Sequence, residues 1–158
     1  MKRISQILEE AAALPDVQSR VEHLHKHDSV VLQGVLKVMF DEDINLDLPD
    51  GEPPYKPATL EQATDLEERL YSEWKKMYLF LPGNNIAKIR REQLFIQYLE
   101  GLHPEDAKII LAMKEHRTPW KPMSAHVARK AYPQLFPKQV AVDNAKAEKE
   151  SKTQTVWL

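Results

Sequence analysis

The chain of 158 residues is long enough to build its own hydrophobic core, and 42% hydrophobic and 29% charged residues are the composition of an ordinary globular domain. It contains no cysteine, which excludes disulfides, thiolate zinc sites, thiol nucleophiles and iron–sulfur ligation. The formal net charge of −2 does not favour a nucleic-acid partner for the chain as a whole.

Hydrophobic residues spaced three and four apart predict helices at the start of the chain. The first covers residues 3–14 and ends at Pro15, and the second covers residues 16–26 with only a thin apolar edge. Asp28 is a suitable N-cap for a third helix, whose interior contains Gly34. A glycine there costs about 1 kcal/mol relative to alanine, and close packing of a neighbouring helix is the simplest reason for it.

Residues 41–58 contain four prolines and one glycine, so they do not form a continuous helix. Such a long connection is uncommon within a compact domain unless it has a function or packs against the core. We expect a strap across the core, anchored by the apolar side chains of Ile44, Leu46, Leu48 and Tyr55.

The strongest predicted helix covers residues 59–79 and opens with a capping box formed by Thr59 and Gln62. Apolar spacing and caps predict three further helices, over residues 86–102, 104–115 and 124–131. No segment shows the alternation that is typical of a strand. The predicted fold is therefore all-α: a compact bundle of six or seven helices in a single domain over residues 1–137, crossed by the strap.

Residues 138–158 form an extended polar tail, which we expect to be exposed helix or disorder. The last three residues, Val156, Trp157 and Leu158, are apolar and have no core of their own. They either fold back on the domain, remain disordered or dock on a partner or a second copy, and tryptophan is well suited to anchor such a contact. These three residues are the candidate partner-binding anchor.

The net charge of −2 is an average over segments of opposite charge. Residues 41–73 hold eleven acidic residues against two basic ones, a net −9, whereas residues 107–138 hold seven basic residues against Glu115, a net +6. This separation is compatible with phosphate contact through the basic segment or with head-to-tail self-association of opposite patches. The basic cluster around Arg91 either extends such a surface or pairs with Glu92 and neighbouring carboxylates.

The basic segment has the outline of a helix–turn–helix, with a six-residue turn between the helices over residues 104–115 and 124–131. The turn contains two prolines and lacks the usual glycine, and the second helix is short for reading a groove. The pattern therefore favours phosphate contact over sequence-specific recognition. The candidate phosphate-binding residues are Lys114, Arg117, Lys121, Arg129 and Lys130.

The strap also resembles a calcium loop, because Asp41, Asp43, Asn45 and Glu52 have the spacing of calcium ligands. Leu46, however, stands where the sharp turn of such a loop needs glycine, and two prolines after Glu52 obstruct the exiting helix. An acidic, solvated strap is the simpler interpretation.

Three alternating histidines, His23, His25 and His27, resemble a metal-binding tract, but only His23 and His27 share a helix face. Two imidazoles make an incomplete zinc site, unless Asp28 or a distant carboxylate completes it. The default is a polar helix surface, and no metal or other cofactor is expected.

Motifs for catalysis are also missing from the sequence. It has no glycine-rich phosphate loop, no nucleophile elbow and no histidine paired with a serine in a recognised motif. Carboxylates are plentiful, but none has an evidently apolar setting that would shift its pKa. We expect a protein that is not an enzyme.

Seven stretches of the chain carry a resemblance to a known group of proteins. They are residues 27–29 (HDS), 35–41 (VLKVMFD), 48–57 (LPDGEPPYKP), 79–83 (LFLPG), 90–97 (RREQLFIQ), 102–114 (LHPEDAKIILAMK) and 132–136 (YPQLF). In this order the chain resembles, over residues 16–137, a family of small uncharacterised proteins of large contractile-tailed bacteriophages. The resemblance implies a phage gene product made in the bacterial cytosol, and it implies no activity or catalytic residues.

The sequence therefore predicts a non-enzymatic interaction protein of a tailed phage. One form of this hypothesis is a virion component or assembly factor; the other is an accessory protein that binds phage or host replication or transcription machinery. The alternative is a nucleic-acid-binding module that uses the basic face of residues 107–138. The N-terminus lacks the apolar core of a secretory signal, and no run reaches the ~20 apolar residues of a membrane span, so we expect the host cytoplasm or the virion.

Overall fold

The computed structural model describes the backbone of residues 1–156 and the side chains of residues 1–146. Within this part of the chain it contains nine α-helices, three 3-10 helices and no strand, which confirms the predicted all-α fold. The α-helices are α1 (Ile4–Ala12), α2 (Val17–Lys26), α3 (Val30–Phe40), α4 (Leu60–Ala63), α5 (Arg69–Glu73), α6 (Lys88–Glu100), α7 (Pro104–Lys114), α8 (Ala125–Ala131) and α9 (Pro137–Val156). The 3-10 helices are Thr64–Leu66, Trp74–Phe80 and Pro133–Leu135.

Helix α7 lies at the centre of the core and packs against α1, α3 and α6. Its side chains are buried on nearly every face, as expected of a central helix. The buried residues of α7 are Asp106, Ala107, Ile109, Ile110, Leu111, Ala112 and Met113. Outside this centre, α1 packs on α2, and α2 packs on α8.

Asp106 is the one charged residue on the buried face of α7, and its carboxylate joins α7 to α1. It is 1% exposed, and its Oδ1 accepts a hydrogen bond from the backbone N–H of Ser5 at 3.0 Å. The bond satisfies one of the free donors in the first turn of α1. Burial raises the pKa of Asp106.

The cap of α3 differs from the prediction by one residue. The Ser29 hydroxyl accepts from the backbone N–H of Leu32 at 3.0 Å and so caps the helix. Asp28 instead accepts from the side chain of Gln33 at 2.8 Å and from the Tyr132 hydroxyl at 2.8 Å. The predicted capping box of Thr59 and Gln62 is present, and the Ser124 side chain caps α8.

The predicted long helix over residues 59–79 is wrong, because the segment is divided into α4, α5 and two 3-10 helices. In Trp74–Phe80 the turn has three residues, so side chains three apart lie above one another. This geometry directs Trp74, Met77 and Phe80 toward the core, where Phe80 is 1% exposed. At the junction between α5 and this 3-10 helix, the Tyr98 hydroxyl donates to the carbonyl of Glu73 at 2.9 Å.

The polar tail predicted as an extended segment over residues 138–158 is helical over its described part. Helix α9 runs from Pro137 to Val156. Of the two predicted alternatives, exposed helix and disorder, the described part is therefore helix. Its base packs against Pro133–Leu135, and Val140 contacts the core, whereas residues 141–146 are exposed. None of the described helices is both long and apolar enough to cross a membrane.

Gly34 packs against an aromatic ring, in agreement with the close approach expected from the sequence. A Cβ atom at this position would lie 2.8 Å from Cε2 and 2.9 Å from Nε1 of Trp74. Both distances are shorter than van der Waals contact, so a larger residue would displace the indole.

We predict that Gly34→Ala lowers the free energy of unfolding by about 1–3 kcal/mol because of this overlap, although alanine is the better helix former. Urea denaturation measures the change. Gly101→Ala is the matched control, since its Cβ would meet nothing closer than 3.5 Å, and we expect a change within about 0.5 kcal/mol. An unchanged or more stable Gly34→Ala variant would contradict the predicted overlap.

Candidate functional site

The strap, residues 41–58, packs against the core through the side chains that the sequence singles out. Leu46 is buried, and Ile44, Leu48 and Tyr55 are half-buried against the core. The prediction of a packed strap rather than a free loop is therefore confirmed.

Arg91 of α6 fixes the first part of the strap. Its side chain is 6% exposed, and its guanidinium donates to the Asp47 carboxylate at 2.9 Å and to the carbonyls of Ile86 and Asn84 at 3.0 and 3.3 Å. The backbone N–H of Asp47 donates to the carbonyl of Phe80 at 2.7 Å. Arg91 is thus engaged with a carboxylate of the strap, and it does not extend a basic surface.

The second part of the strap is held by residues of α6 and of the C-terminal end of α7. The Glu115 carboxylate accepts from the backbone N–H of Gly51 at 2.7 Å, and the Glu100 carboxylate accepts from the backbone N–H of Lys56 at 2.9 Å. The Lys114 ammonium donates to the carbonyl of Pro49 at 2.9 Å. The strap is thus fixed to the helices along most of its length.

A pocket of about 240 Å³ opens between the strap and α6. Leu48, Phe95 and Ile96 supply its apolar surface, and carboxylates lie around it. Asp50 and Glu52, both exposed, belong to this acidic rim. The arrangement can hold one apolar side chain with positive charge next to it.

Two of the four residues with calcium-ligand spacing, Asp41 and Asn45, are engaged with other groups of the chain. The Asp41 carboxylate accepts from the Lys37 ammonium at 2.6 Å and from the backbone N–H of Asp43 at 3.0 Å, and the contact with Lys37 lowers the pKa of Asp41. The Asn45 side chain donates to the carbonyl of Glu42 and contacts His116 Nε2, both at 3.0 Å. These contacts favour the acidic strap over a calcium loop.

The five predicted phosphate-binding residues do not form one surface. The Lys114 side chain is only 5% exposed because the strap covers it, so its inclusion in an exposed basic face is wrong. Arg117, Lys121 and Lys130 are exposed. Arg129 Nε lies 3.1 Å from the Asp143 carboxylate of α9.

Helix α8 packs mainly against α2 and α3 rather than against α7, its partner in the predicted helix–turn–helix. Trp120, in the connection between α7 and α8, is half-buried against the core. A different basic feature appears instead: a groove of about 480 Å³ between α8 and α9, lined by His126, Arg129, Lys130 and Lys146 together with Asp143.

The structure describes only part of the predicted C-terminal anchor. Val156 ends helix α9. Its side chain, and the whole of Trp157 and Leu158, lie outside the described residues. The anchor therefore stays a prediction from the sequence.

Glu10 joins His23 and His27 in a cluster that the sequence reveals only in part. The spacing of the two histidines places them on one face of α2, and their ring centroids are 4.8 Å apart. The packing of α1 on α2 brings Glu10 close to the two histidines, so residue spacing in the sequence does not predict this contact. One ligand atom from each of the three residues lies within 4.8 Å of the other two. His25 is directed elsewhere, with its Nε2 2.6 Å from the carbonyl of Ala131.

We predict that Arg91→Ala lowers the free energy of unfolding by about 2 kcal/mol, because two half-buried carbonyls and the Asp47 carboxylate lose their donor. The strap should also loosen, so that the amide of Asp47 exchanges with solvent faster in hydrogen-exchange experiments. Arg90→Ala removes the exposed neighbouring arginine and should change neither quantity appreciably. Equal behaviour of the two variants would show that the Arg91 contacts do not hold the strap.

A comparison with protein families finds one that matches residues 7–119, and it is described as a family of unknown function (DUF6433). No curated protein and no solved structure matches the chain. The matched region contains most of α1, all of α2 to α7 and the strap, and it ends before α8 and α9. Because the match covers well more than half of the chain, the chain belongs to this family of unknown function.

Proposed function

We propose that the protein is a non-enzymatic interaction protein of a tailed bacteriophage. The resemblance of residues 16–137 to small proteins of contractile-tailed phages supports this origin. The acidic strap, held rigidly beside an apolar pocket, is the observation that carries the interaction role. The partner is a phage or host protein in the infected cell, or a neighbouring protein in the virion.

The strap has the properties of a preformed binding surface. Hydrogen bonds fix Asp47, Gly51 and Lys56 to the helices, so little conformational entropy remains to be lost on binding. An apolar pocket with a polar rim is the arrangement in which binding energy concentrates at protein interfaces. The pocket and its carboxylates fit a segment that presents one apolar side chain between basic residues.

We predict that the double variant Asp50→Lys/Glu52→Lys reduces recovery of the partner from infected cells at least ~10-fold, because like charges then meet across the interface. The measurement is quantitative mass spectrometry of proteins that co-purify with the tagged chain. Glu61→Lys is the control, an exposed acidic residue of α4 that does not line the pocket. Equal losses in both variants, or no loss in the double variant, would contradict a role for the strap.

The same experiment tests the anchor when residues 156–158 are deleted. Loss of a partner in the deletion variant alone, with the helical signal in circular dichroism retained, supports docking by Val156, Trp157 and Leu158. Unchanged recovery of every partner would reject the anchor. Mass spectrometry of purified particles separates the two forms of the proposal: stoichiometric presence favours a virion component, and its absence from particles favours an accessory protein.

The groove between α8 and α9 supports a second candidate, nucleic-acid binding through phosphate contacts. Under this candidate, DNA binding weakens steeply between 50 and 200 mM salt because phosphate contacts release counterions (about 0.9 log units per log unit of salt for each contact). The variant Lys130→Ala/Lys146→Ala should bind less tightly and with a smaller salt slope. Fluorescence anisotropy with a labelled duplex measures both, and no salt-sensitive binding would remove the candidate.

A further inference from the structure

The cluster of Glu10, His23 and His27 combines three side chains whose ligand atoms converge on one point between α1 and α2. His23 Nε2 lies 3.3 Å from the Glu10 carboxylate, and no pair of the three ligand atoms is more than 4.8 Å apart. All three side chains belong to half-buried residues, so the cluster is partly shielded from solvent.

We propose that Glu10, His23 and His27 form a binding site for a divalent transition metal ion, with Zn²⁺ as the best fit. Two imidazoles and one carboxylate are a ligand set for zinc, whereas calcium and magnesium require oxygen ligands. Three protein ligands leave the fourth tetrahedral position to water.

The distances suit a tetrahedral ion. With metal–ligand bonds of about 2.0–2.1 Å, neighbouring ligand atoms are about 3.3 Å apart. The separation of His23 Nε2 and the Glu10 carboxylate already has this value. The longest separation in the cluster must close by about 1.5 Å at most, which side-chain rotation of Glu10 or His27 can supply.

The hydrogen bonding of His23 also favours a cation. Its Nε2 is inaccessible to solvent and forms no hydrogen bond with any described residue. When the ring proton is on Nδ1, the lone pair of Nε2 faces the negative carboxylate of Glu10, and a bound cation turns this repulsion into coordination.

Lys2 is the competitor for this site in the metal-free protein. Its ammonium donates to both carboxylate oxygens of Glu10, at 2.9 and 2.7 Å. The Lys2 side chain is 42% exposed, so it can swing away when a metal ion binds. Removal of this ammonium should therefore strengthen metal binding, an effect that a merely structural cluster would not show.

The test is titration of the untagged full chain with ZnCl₂ in isothermal calorimetry, and with Co²⁺, whose visible absorption reports tetrahedral geometry. We expect one Zn²⁺ per chain and a melting temperature that rises by about 5–10 °C at a hundredfold excess over Kd, since the ion joins α1 to α2. Glu10→Gln, His23→Ala and His27→Ala should each weaken binding at least ~10-fold. Lys2→Ala should tighten it several-fold, and His126→Ala, which removes an exposed histidine of α8, should leave it unchanged.

Three results would overturn the site. One is an affinity for Zn²⁺ that does not change in Glu10→Gln and His23→Ala, and another is loss of binding in His126→Ala. The third is no detectable Zn²⁺ binding in both the wild-type chain and Lys2→Ala. Circular dichroism in the presence of a chelator establishes that each variant is folded before titration, and Lys2→Ala, at an exposed position, provides a decisive measurement if a core-proximal variant unfolds.

Discussion

Burial of α7 on nearly every face is the constraint on which the other packing contacts depend. An apolar helix of this kind must be covered on all sides, and α1, α3 and α6 each cover one of them. The buried carboxylate of Asp106 requires a donor, which the backbone of Ser5 in α1 supplies. The position of α1 then determines where α2 packs, and with it the approach of Glu10 to the two histidines.

The same helix explains the path of the strap. Prolines remove backbone donors from this segment, and few of its remaining N–H groups, such as those of Ile44 and Leu48, bond to carbonyls within it. The backbone N–H groups of Gly51 and Lys56 are satisfied by carboxylates at the ends of α7 and α6. The ends of α6 and α7 thus act as fixed points for a segment that has no secondary structure of its own.

Local signals in the sequence are sufficient for much of the fold. The capping box at Thr59, the proline that opens α7 and the four apolar anchors of the strap are read directly from residue types and spacing. The division of residues 59–79 into short helices cannot be read in this way, because the 3-10 geometry of Trp74–Phe80 is selected by contacts with distant residues such as Tyr98. The burial of Lys114 escapes sequence-based prediction for the same reason. A lysine at a helix end is normally exposed, and here the crossing strap covers it.

The charge separation along the sequence is partly cancelled in space. Lys114, from the segment with net charge +6, contacts the backbone of the acidic strap, and Lys138 lies 3.7 Å from Asp43. Arg129 is close to Asp143, which leaves fewer free cations than the segment arithmetic suggests. Within the described part of the chain, no basic side chain forms an ion pair with the exposed carboxylates of Asp50 and Glu52, unlike that of Asp47 in the same strap. The strap therefore carries exposed carboxylates on a backbone that is fixed to the helices, and for this reason we propose a protein partner rather than nucleic acid.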